Sequence, residues 1–368
     1  MNPLSGIRVL DLSRVLAGPW ATQMLGDLGA EVIKVEHPGR PDETRSWGPP
    51  FVEDGSGDAA YFLCANRNKS VMTVDFATPE GAATLRELAK GSDVLVENFK
   101  VGTLAKHGLD YPTLHQENPR LVYCSITGFG QTGPYAQRAG YDLLVQAMSG
   151  LMSITGDREP MKVGVAVSDL FTGMYAVVSI LAALRQRDAT GVGQHIDLAL
   201  LDSQVAVLAN QGMSYLVSGK VPERTGNAHP NIVPYRDFAT QDGRIVIAVG
   251  NDGQFTALCE VLGAPELARD RRYTDNRSRV ANRQELEASL RDAIGRRSSA
   301  DLLEALERRG VPAGPINDLA AAFADPQIVA RGLVRTLDRG GTPVPSIGFP
   351  AKLSGVDEPP MRAPPTRS

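Results

Sequence analysis

The sequence predicts an α/β protein built on a doubly wound parallel sheet, and three observations carry that prediction. Short runs rich in Val, Ile and Leu alternate with stretches of helical apolar spacing through the first 200 residues. Helix signals fall between the runs, as with Thr78 before PEGAATLRELAK and Gly91 after it. Hydrophobic residues make up 42% and charged residues 22% of 368, the balance of a globular chain long enough for two domains.

Taken in order, GIRVLDLS (6–13) reads as a strand and AGPWATQMLGDLGA (17–30) as a helix, with Pro19 in the first turn where a missing N–H does no harm. EVIKVE (31–36) is a second strand. Its final Glu36 stands where a dinucleotide fold keeps its ribose-binding acid. The first turn, however, reads SRVLAGP and not G-x-G-x-x-G, so a pyrophosphate lacks its glycine turn. SVMTVDF (70–76), DVLVENF (93–99) and LVYCSITGFG (121–130) are further strands, with a helix over 78–91. Leu170–Arg187 reads as a long buried helix, and 194–219 passes from strand to helix.

A shift in composition follows. KVPERTGNAHPNIVPYRDF (220–238), rich in Pro, Asn and Gly, reads as a linker or binding loop. RIVIAVG (244–250) is a strand that runs into GNDGQ (250–254). Helices rich in Arg, Glu and Leu over 255–310 indicate a smaller, solvated lobe. GVPAGPIND (310–318) reads as a turn, and the Pro-rich DEPPMRAPPTRS (357–368) as irregular.

A net charge of -4 argues against nucleic acid as the main partner, because phosphate binding wants a basic face. Cys64, Cys124 and Cys259 form no CxxC pair, and with five scattered histidines they give no metal-ligand spacing. They read as buried free thiols of a reducing compartment, the cytoplasm. The N-terminus carries no charged-then-apolar leader. The uncharged run that follows Asp169, the fifteen residues Leu170–Leu184, is shorter than the ~20 apolar residues that a membrane span needs.

That run opens with a single acid, Asp169. Ser168 or Asp169 can serve as the N-cap of the helix. Alternatively Asp169 is a reagent, a carboxylate held ionised at neutral pH by the helix dipole and stripped of water by apolar neighbours.

Several stretches together resemble one family. They are residues 6–36, NRNKS (66–70), VENFKVGTLAKHGLDY (96–111), SITGFGQTGPYAQRAGYDLLVQAMSG (125–150), TGVGQHIDLALLDS (190–203) and GVPAGPIND. In order and spacing they look like the class III CoA-transferases of the formyl-CoA transferase, CaiB/BaiF type, from residue 4 to about residue 355. The resemblance implies a Rossmann-like large domain over 1–220 and 321–368, an inserted smaller α+β domain over 221–320, and an interlocked homodimer. It implies coenzyme A and its acyl esters as substrates, a carboxylic acid as acceptor, and no permanently bound cofactor.

By that resemblance Asp169 is the nucleophile. Val15, Leu16, Ala17, His37, Val74, Asn98, Phe99, Lys106 and Tyr141 match coenzyme A contacts, while Arg40 and Lys69 suit its phosphates by charge. GNDGQ occupies the place of a glycine loop that covers the nucleophile in some members, which marks Gly250, Gly253 and Gln254 as substrate candidates. An ordinary turn after a strand is the competing reading of those three.

The 220–238 loop and NDGQFTALCEVLG look more like the succinate/hydroxymethylglutarate-type transferases than the oxalate-specific ones. Short dicarboxylates such as succinate are therefore the expected acids. Arg224, His229 and Arg236 are the candidates for the distal carboxylate. Two alternatives stand beside transfer. One is an epimerase of the α-methylacyl-CoA racemase branch, disfavoured because AGYD (139–142) has Tyr141 where that branch has histidine. The other is a non-catalytic acyl-CoA binding module, suggested by a chain that stops at PPTRS.

Overall fold

The computed structural model describes residues 1–356 and 361–367. Residues 357–360 and Ser368, part of the stretch expected to be irregular, lie outside the described residues. Residues 361–367 carry no regular element. The chain divides into two compact units. The first comprises Met1–Met152, Lys162–Pro222 and the chain from Pro326; the second comprises Ser153–Met161 and Glu223–Asp325. Ser153–Met161, which the sequence assigns to the large domain, groups with the second unit because Gly226 N–H donates to Gly156 O (3.1 Å) and Arg224 donates to Ser153 O (3.1 Å).

The first unit runs β1 (Arg8–Asp11), α1 (Ala17–Asp27), β2 (Glu31–Glu36), α2 (Ala60–Leu63), β3 (Lys69–Thr73), α3 (Pro79–Lys90), β4 (Val94–Glu97), α4 (Tyr111–Glu117), β5 (Val122–Thr127) and α5 (Asp142–Met148). It continues through α6 (Leu151–Ile154), which reaches into the second unit, then α7 (Val167–Thr190), β6 (His195–Ala199), α8 (Leu200–Ala206) and α9 (Ala209–Ser218). The six strands form one parallel sheet in the order β3-β2-β1-β4-β5-β6. The order reverses between β1 and β4, so a crevice opens beyond their carboxyl ends.

Successive strand residues face opposite sides, and here both sides are apolar, which is why the strands read as nearly continuous hydrophobic runs. Val9, Val32, Val94, Val96 and Cys124 pack against Ala21 and Leu25 of α1 and Val177 and Ile180 of α7. Leu10, Leu95 and Tyr123 pack on the other side with Leu85, Leu109 and Leu114. Thr78 caps α3 as expected, its hydroxyl accepting the Gly81 N–H at 3.0 Å. Helices α1 and α7 meet at Gly173, where any Cβ would fall 2.8 Å from Ala17 O.

Helix α7 corrects two expectations. It spans 24 residues and is long and apolar enough to cross a membrane by length and composition, although the uncharged run alone is not. Nor is it buried all round: Ala176, Val177, Ile180, Ala183 and Leu184 join the core, while Met174, Tyr175 and Val178 are exposed.

The second unit contains β7 (Tyr235–Ala239), β8 (Arg244–Ala248), α10 (Asp252–Val261), α11 (Pro265–Arg269), α12 (Asn276–Ala281), α13 (Arg283–Ile294), α14 (Ser299–Arg308), β9 (Ala313–Pro315) and α15 (Leu319–Ala324). Its antiparallel sheet has the order β7-β8-β9 around a core that includes Phe238, Ile247, Phe255, Leu286 and Leu302. Strand β9 replaces the expected turn; it is an edge strand, where a proline is tolerated. Back in the first unit, α16 (Pro326–Arg331) precedes an antiparallel hairpin of β10 (Val334–Arg339) and β11 (Thr342–Ile347) that the sequence reading lacked.

Candidate functional site

Asp169 is the third residue of α7 and is half-buried. It does not cap the helix, and neither does Ser168. The N-cap is Ala166, whose side chain has nothing to accept with. The acceptor comes from α5 instead: Ser168 N–H donates to Asp142 Oδ1 at 2.9 Å. The Ser168 hydroxyl donates to Gln204 Oε1 at 2.8 Å. Asp169 itself receives the Ala17 N–H from the first turn of α1. Burial first, then the charge of Asp142, pushes its carboxyl up to about 7, against the pull of that N–H. Burial thus works against the full ionisation at neutral pH that the sequence suggests.

The turn that joins β1 to α1 forms the opposite wall. Val15 has φ 70°, a left-handed conformation that a β-branched residue rarely adopts. Two brackets hold it there. Val15 N–H donates to the Asp42 carboxylate at 3.3 Å. Asn98 accepts the Arg14 N–H (2.9 Å) and donates to Arg14 O (2.7 Å). In the first turn of α1, Ala17 N–H goes to Asp169, Pro19 has none, and Trp20 N–H donates to Leu16 O at 2.7 Å. Among the described hydrogen bonds, Gly18 N–H has no acceptor.

Beneath this turn lies a buried ionic network. Asp11 accepts from Ser13, from Thr22 (2.7 Å) and from Lys69 Nζ (3.0 Å). Lys34 Nζ donates to Ser13 O (2.9 Å) and pairs with Asp42 (2.9 Å). Lys69 is wholly buried, and its three N–H groups go to Asp11, Pro19 O and Asn66. It therefore braces the turn, and no hydrogen is left for a phosphate.

Two adjoining cavities open at the carboxyl ends of β1 and β4. One, of about 210 Å³, is lined by Asp169 with Val15, Ala17, Asn98, Phe99 and Tyr141, all singled out from the sequence, and by Arg14, Glu43, Lys100 and Arg138. The other, of about 320 Å³, is lined by His37, Arg40 and Val74 among others, and shares Arg14 and Phe99 with the first. The His37 ring accepts the N–H groups of Gly39 (2.9 Å) and Arg40 (3.1 Å). Leu16 is buried at the N-cap of α1. Lys106 is exposed in the short helical turn Leu104–His107 and lines neither cavity.

The other candidates belong to the second unit. Gly250 N–H donates to Gln254 Oε1 (2.8 Å), and Gln254 N–H donates to Asn251, so GNDGQ is an Asn-capped helix start. Gly253 lies inside α10. Arg224 donates to Ser153 O and Arg158 O. Arg236 is held by the buried Glu287 at 2.7 Å. His229 accepts the Asn231 N–H at 3.0 Å.

Two groups beside Asp169 were missed. Asp142 is one; the AGYD motif drew attention only to Tyr141. The other is Tyr61 of α2, stacked edge-on against Trp47 and pushed up to about 12 by burial and then by the charge of Asp169. Cys64, expected to be buried, is exposed at the end of the same helix, whereas Cys124 and Cys259 are buried. Among the described residues, no group of three His, Cys, Asp or Glu side chains is placed to hold a metal ion.

Comparison with known proteins gives three concordant results. The chain matches the model of CoA-transferase family III over residues 4–367. It is 56% identical over 358 residues to a succinate–glutarate CoA-transferase of Agrobacterium fabrum, covering 96% of this chain and 90% of that protein. It is 47% identical to a mouse succinyl-CoA:glutarate CoA-transferase, covering 100% of this chain and 85% of that one. A crystal structure of a CaiB/BaiF family protein from Brucella suis superposes with a TM-score of 0.86 at 52% identity, covering 100% of this chain and 96% of that one.

Proposed function

The chain belongs to CoA-transferase family III and moves coenzyme A between carboxylic acids, and from that premise we propose that it does so through a covalent aspartyl anhydride at Asp169. The observation that carries the mechanism is a carboxylate at the junction of two helix starts, kept short of hydrogen-bond donors, in a cavity at the sheet's switch point.

An Asp169 oxygen attacks the thioester carbonyl of the donor. The tetrahedral oxyanion collapses with cleavage of the C–S bond, which gives an acyl-aspartyl anhydride and coenzyme A thiolate. The acceptor carboxylate attacks the aspartyl carbonyl carbon, releases the donor acid's carboxylate and leaves its own anhydride on Asp169. The thiolate then attacks the acceptor's acyl carbon, and Asp169 departs as carboxylate. No proton is consumed, and the thioester's free energy is retained as anhydride while water is kept out. The Gly18 N–H, which has no acceptor among the described hydrogen bonds and belongs to the same helix turn as Ala17, is the donor we assign to the oxyanion.

The two adjoining cavities suit a long ligand: phosphates and adenine beside His37 and Arg40, pantetheine past Phe99 and Val15 towards Asp169. The acids are short dicarboxylates, succinate and glutarate first, as in the names of the two relatives. Arg236 is ion-paired with Glu287 and Arg224 donates to the Ser153 and Arg158 carbonyls, so His229 is the least committed of the three sequence candidates for the distal carboxylate. If Arg224→Ala and His229→Ala leave the preference for succinate over acetate unchanged, the cavity cations Arg14 and Arg138 take that role.

We also propose a homodimer in the cytoplasm. Helix α9 exposes Met213, Leu216 and Val217, the last at 82%, and α7 exposes Val178, an apolar surface unlike that of a monomer. Light scattering after gel filtration at micromolar concentration should return about twice the 39.4 kDa of one chain; a mass of one chain would remove the dimer.

The mechanism is tested by trapping. Incubation with succinyl-CoA, glutarate and hydroxylamine should place a hydroxamate on the peptide that contains Asp169, as read by mass spectrometry, and Asp169→Ala should give neither adduct nor glutaryl-CoA. Transfer retained in the alanine variant would refute the proposal.

A further inference from the structure

The AGYD stretch supplies a second carboxylate that the transfer chemistry above leaves unused. We propose that Asp142 is a positioning residue for the reaction: it grips the first turn of α7 through the Ser168 amide and so aims Asp169 at the cleft. This rests on Asp169 being the nucleophile.

Three observations carry the proposal. The start of α7 has unmet N–H groups and an alanine at the N-cap, so its acceptor has to come from elsewhere; Asp142 Oδ1 supplies it at 2.9 Å. Asp142 is itself fixed. Its Oδ2 accepts from Gln146 Nε2 at 2.7 Å, and Gln146 Oε1 accepts the Val163 N–H at 2.9 Å, so the strap fastens α5 both to Val163 ahead of α7 and to Ser168 in its first turn. Gln146 has no exposed surface. Finally, Gly128 and Gly140 touch backbone to backbone: a Cβ on Gly128 would fall 2.7 Å from Gly140 Cα. The loop after β5 is thereby pressed against the residue that leads into Tyr141 and Asp142.

A cap has no need of a full charge, since Ser or Asn serves about as well. The charge of Asp142 is set against Asp169 and opposes its ionisation. The other groups facing Asp169 are the Ala17 N–H of α1, Tyr61 of α2, and the cavity side chains Arg14, Glu43, Lys100 and Arg138. Glu43 pairs with Arg14 at 3.1 Å, whereas the hydrogen bonds of Asp142 run to neutral donors. The nucleophile is thus held more basic than a solvated aspartate, and a more basic carboxylate attacks a thioester faster once ionised.

Three variants of the full chain separate the two effects. Asp142→Asn keeps an acceptor oxygen for the Ser168 N–H and removes the charge, giving up only the bond from Gln146 Nε2 while Gln146 still holds the Val163 N–H. Asp142→Ala removes both, and Gln146→Leu cuts the strap while leaving the charge. Steady-state kinetics with succinyl-CoA and glutarate should show the Asn variant within about threefold of wild-type kcat at pH 8, its acid limb of kcat/KM lower by about one pH unit. The Ala and Leu variants should lose about 30-fold or more in kcat, with KM for the CoA ester changed by less than about threefold. Should the Ala variant fail to fold, the Asn and Leu variants decide. An unmoved acid limb in the Asn variant, or near-wild-type kcat in the Leu variant, overturns the proposal. If Asp169→Ala is dead while the Asp142 and Gln146 variants match wild type, this inference alone falls; if Asp169→Ala is active, the nucleophile assignment falls with it.

Discussion

Asp11 and Asp169 are both carboxylates in the first unit, and helix α1 touches each: Thr22 donates to Asp11, and Ala17 N–H donates to Asp169. Their surroundings differ in the donors and in the charges they present. Burial alone would raise the Asp11 carboxyl, but the ammoniums of Lys69 and Lys34 and the hydroxyls of Ser13 and Thr22 outweigh it and hold it below the ordinary range. At Asp169, burial and the charge of Asp142 face a single N–H, and the carboxyl rises to about 7. A buried carboxylate whose partners are complete holds a turn in place. One left short of partners, in a cavity, is poised to react. The comparison also locates the strain of the site, since the network around Asp11 fixes the turn where Val15 is held at positive φ.

The largest effect that tests the contrast is catalytic. Asp169→Ala should lower the rate of ester exchange by about 10⁴ or more, measured as new CoA ester by mass spectrometry, with no loss of melting temperature. Next in size is the reciprocal change. Lys69→Ala leaves Asp11 buried beside a missing ammonium and should lower the unfolding free energy by about 3–5 kcal/mol, measured by urea denaturation at pH 7. Burial first, offset in part by Asp11, brings the Lys69 ammonium down to about 8, so the pair is charged at that pH. An alanine variant as stable as wild type would mean that pairing is not what separates the two carboxylates.

The contrast was only half legible in the sequence. Strand β2 and the capped helix α3 could be read because their signals are local: an apolar run in one case, Thr78 and Gly91 in the other. Asp169 could be placed at a helix start for the same reason. Whether it caps that helix could not be read, because the acceptor that relieves it of capping lies 26 residues upstream. Lys69 read as a partner for coenzyme A phosphates because Asp11, its actual partner 58 residues away, becomes its neighbour only when the sheet forms. The hairpin β10–β11 did leave a local trace, Gly340–Gly341 with φ of 64° and 90°. Pro343 and Pro345 argue against a strand, yet a two-stranded ribbon has a free edge that accommodates them.

The smallest effect is the most discriminating, because it asks whether the reactive carboxylate costs stability. Asp169→Asn keeps an acceptor for the Ala17 N–H and removes the charge. The folded-state pKa of Asp169, about 7, lies above the ordinary value of 3.8, so the folded protein holds this proton more tightly than the unfolded chain does. Its contribution to stability is therefore complete below about pH 4, declines as pH rises, and is gone above pH 7. Asparagine, which does not titrate, should then be more stable than wild type at pH 8 by about 1–2 kcal/mol, after allowance for the partial exposure of the site, and equal to it at pH 4. Thermal melts of both proteins at the two pH values measure this directly. A variant that is no more stable at pH 8 would show that Asp169 is as well accommodated as Asp11, and that its reactivity has some source other than missing partners.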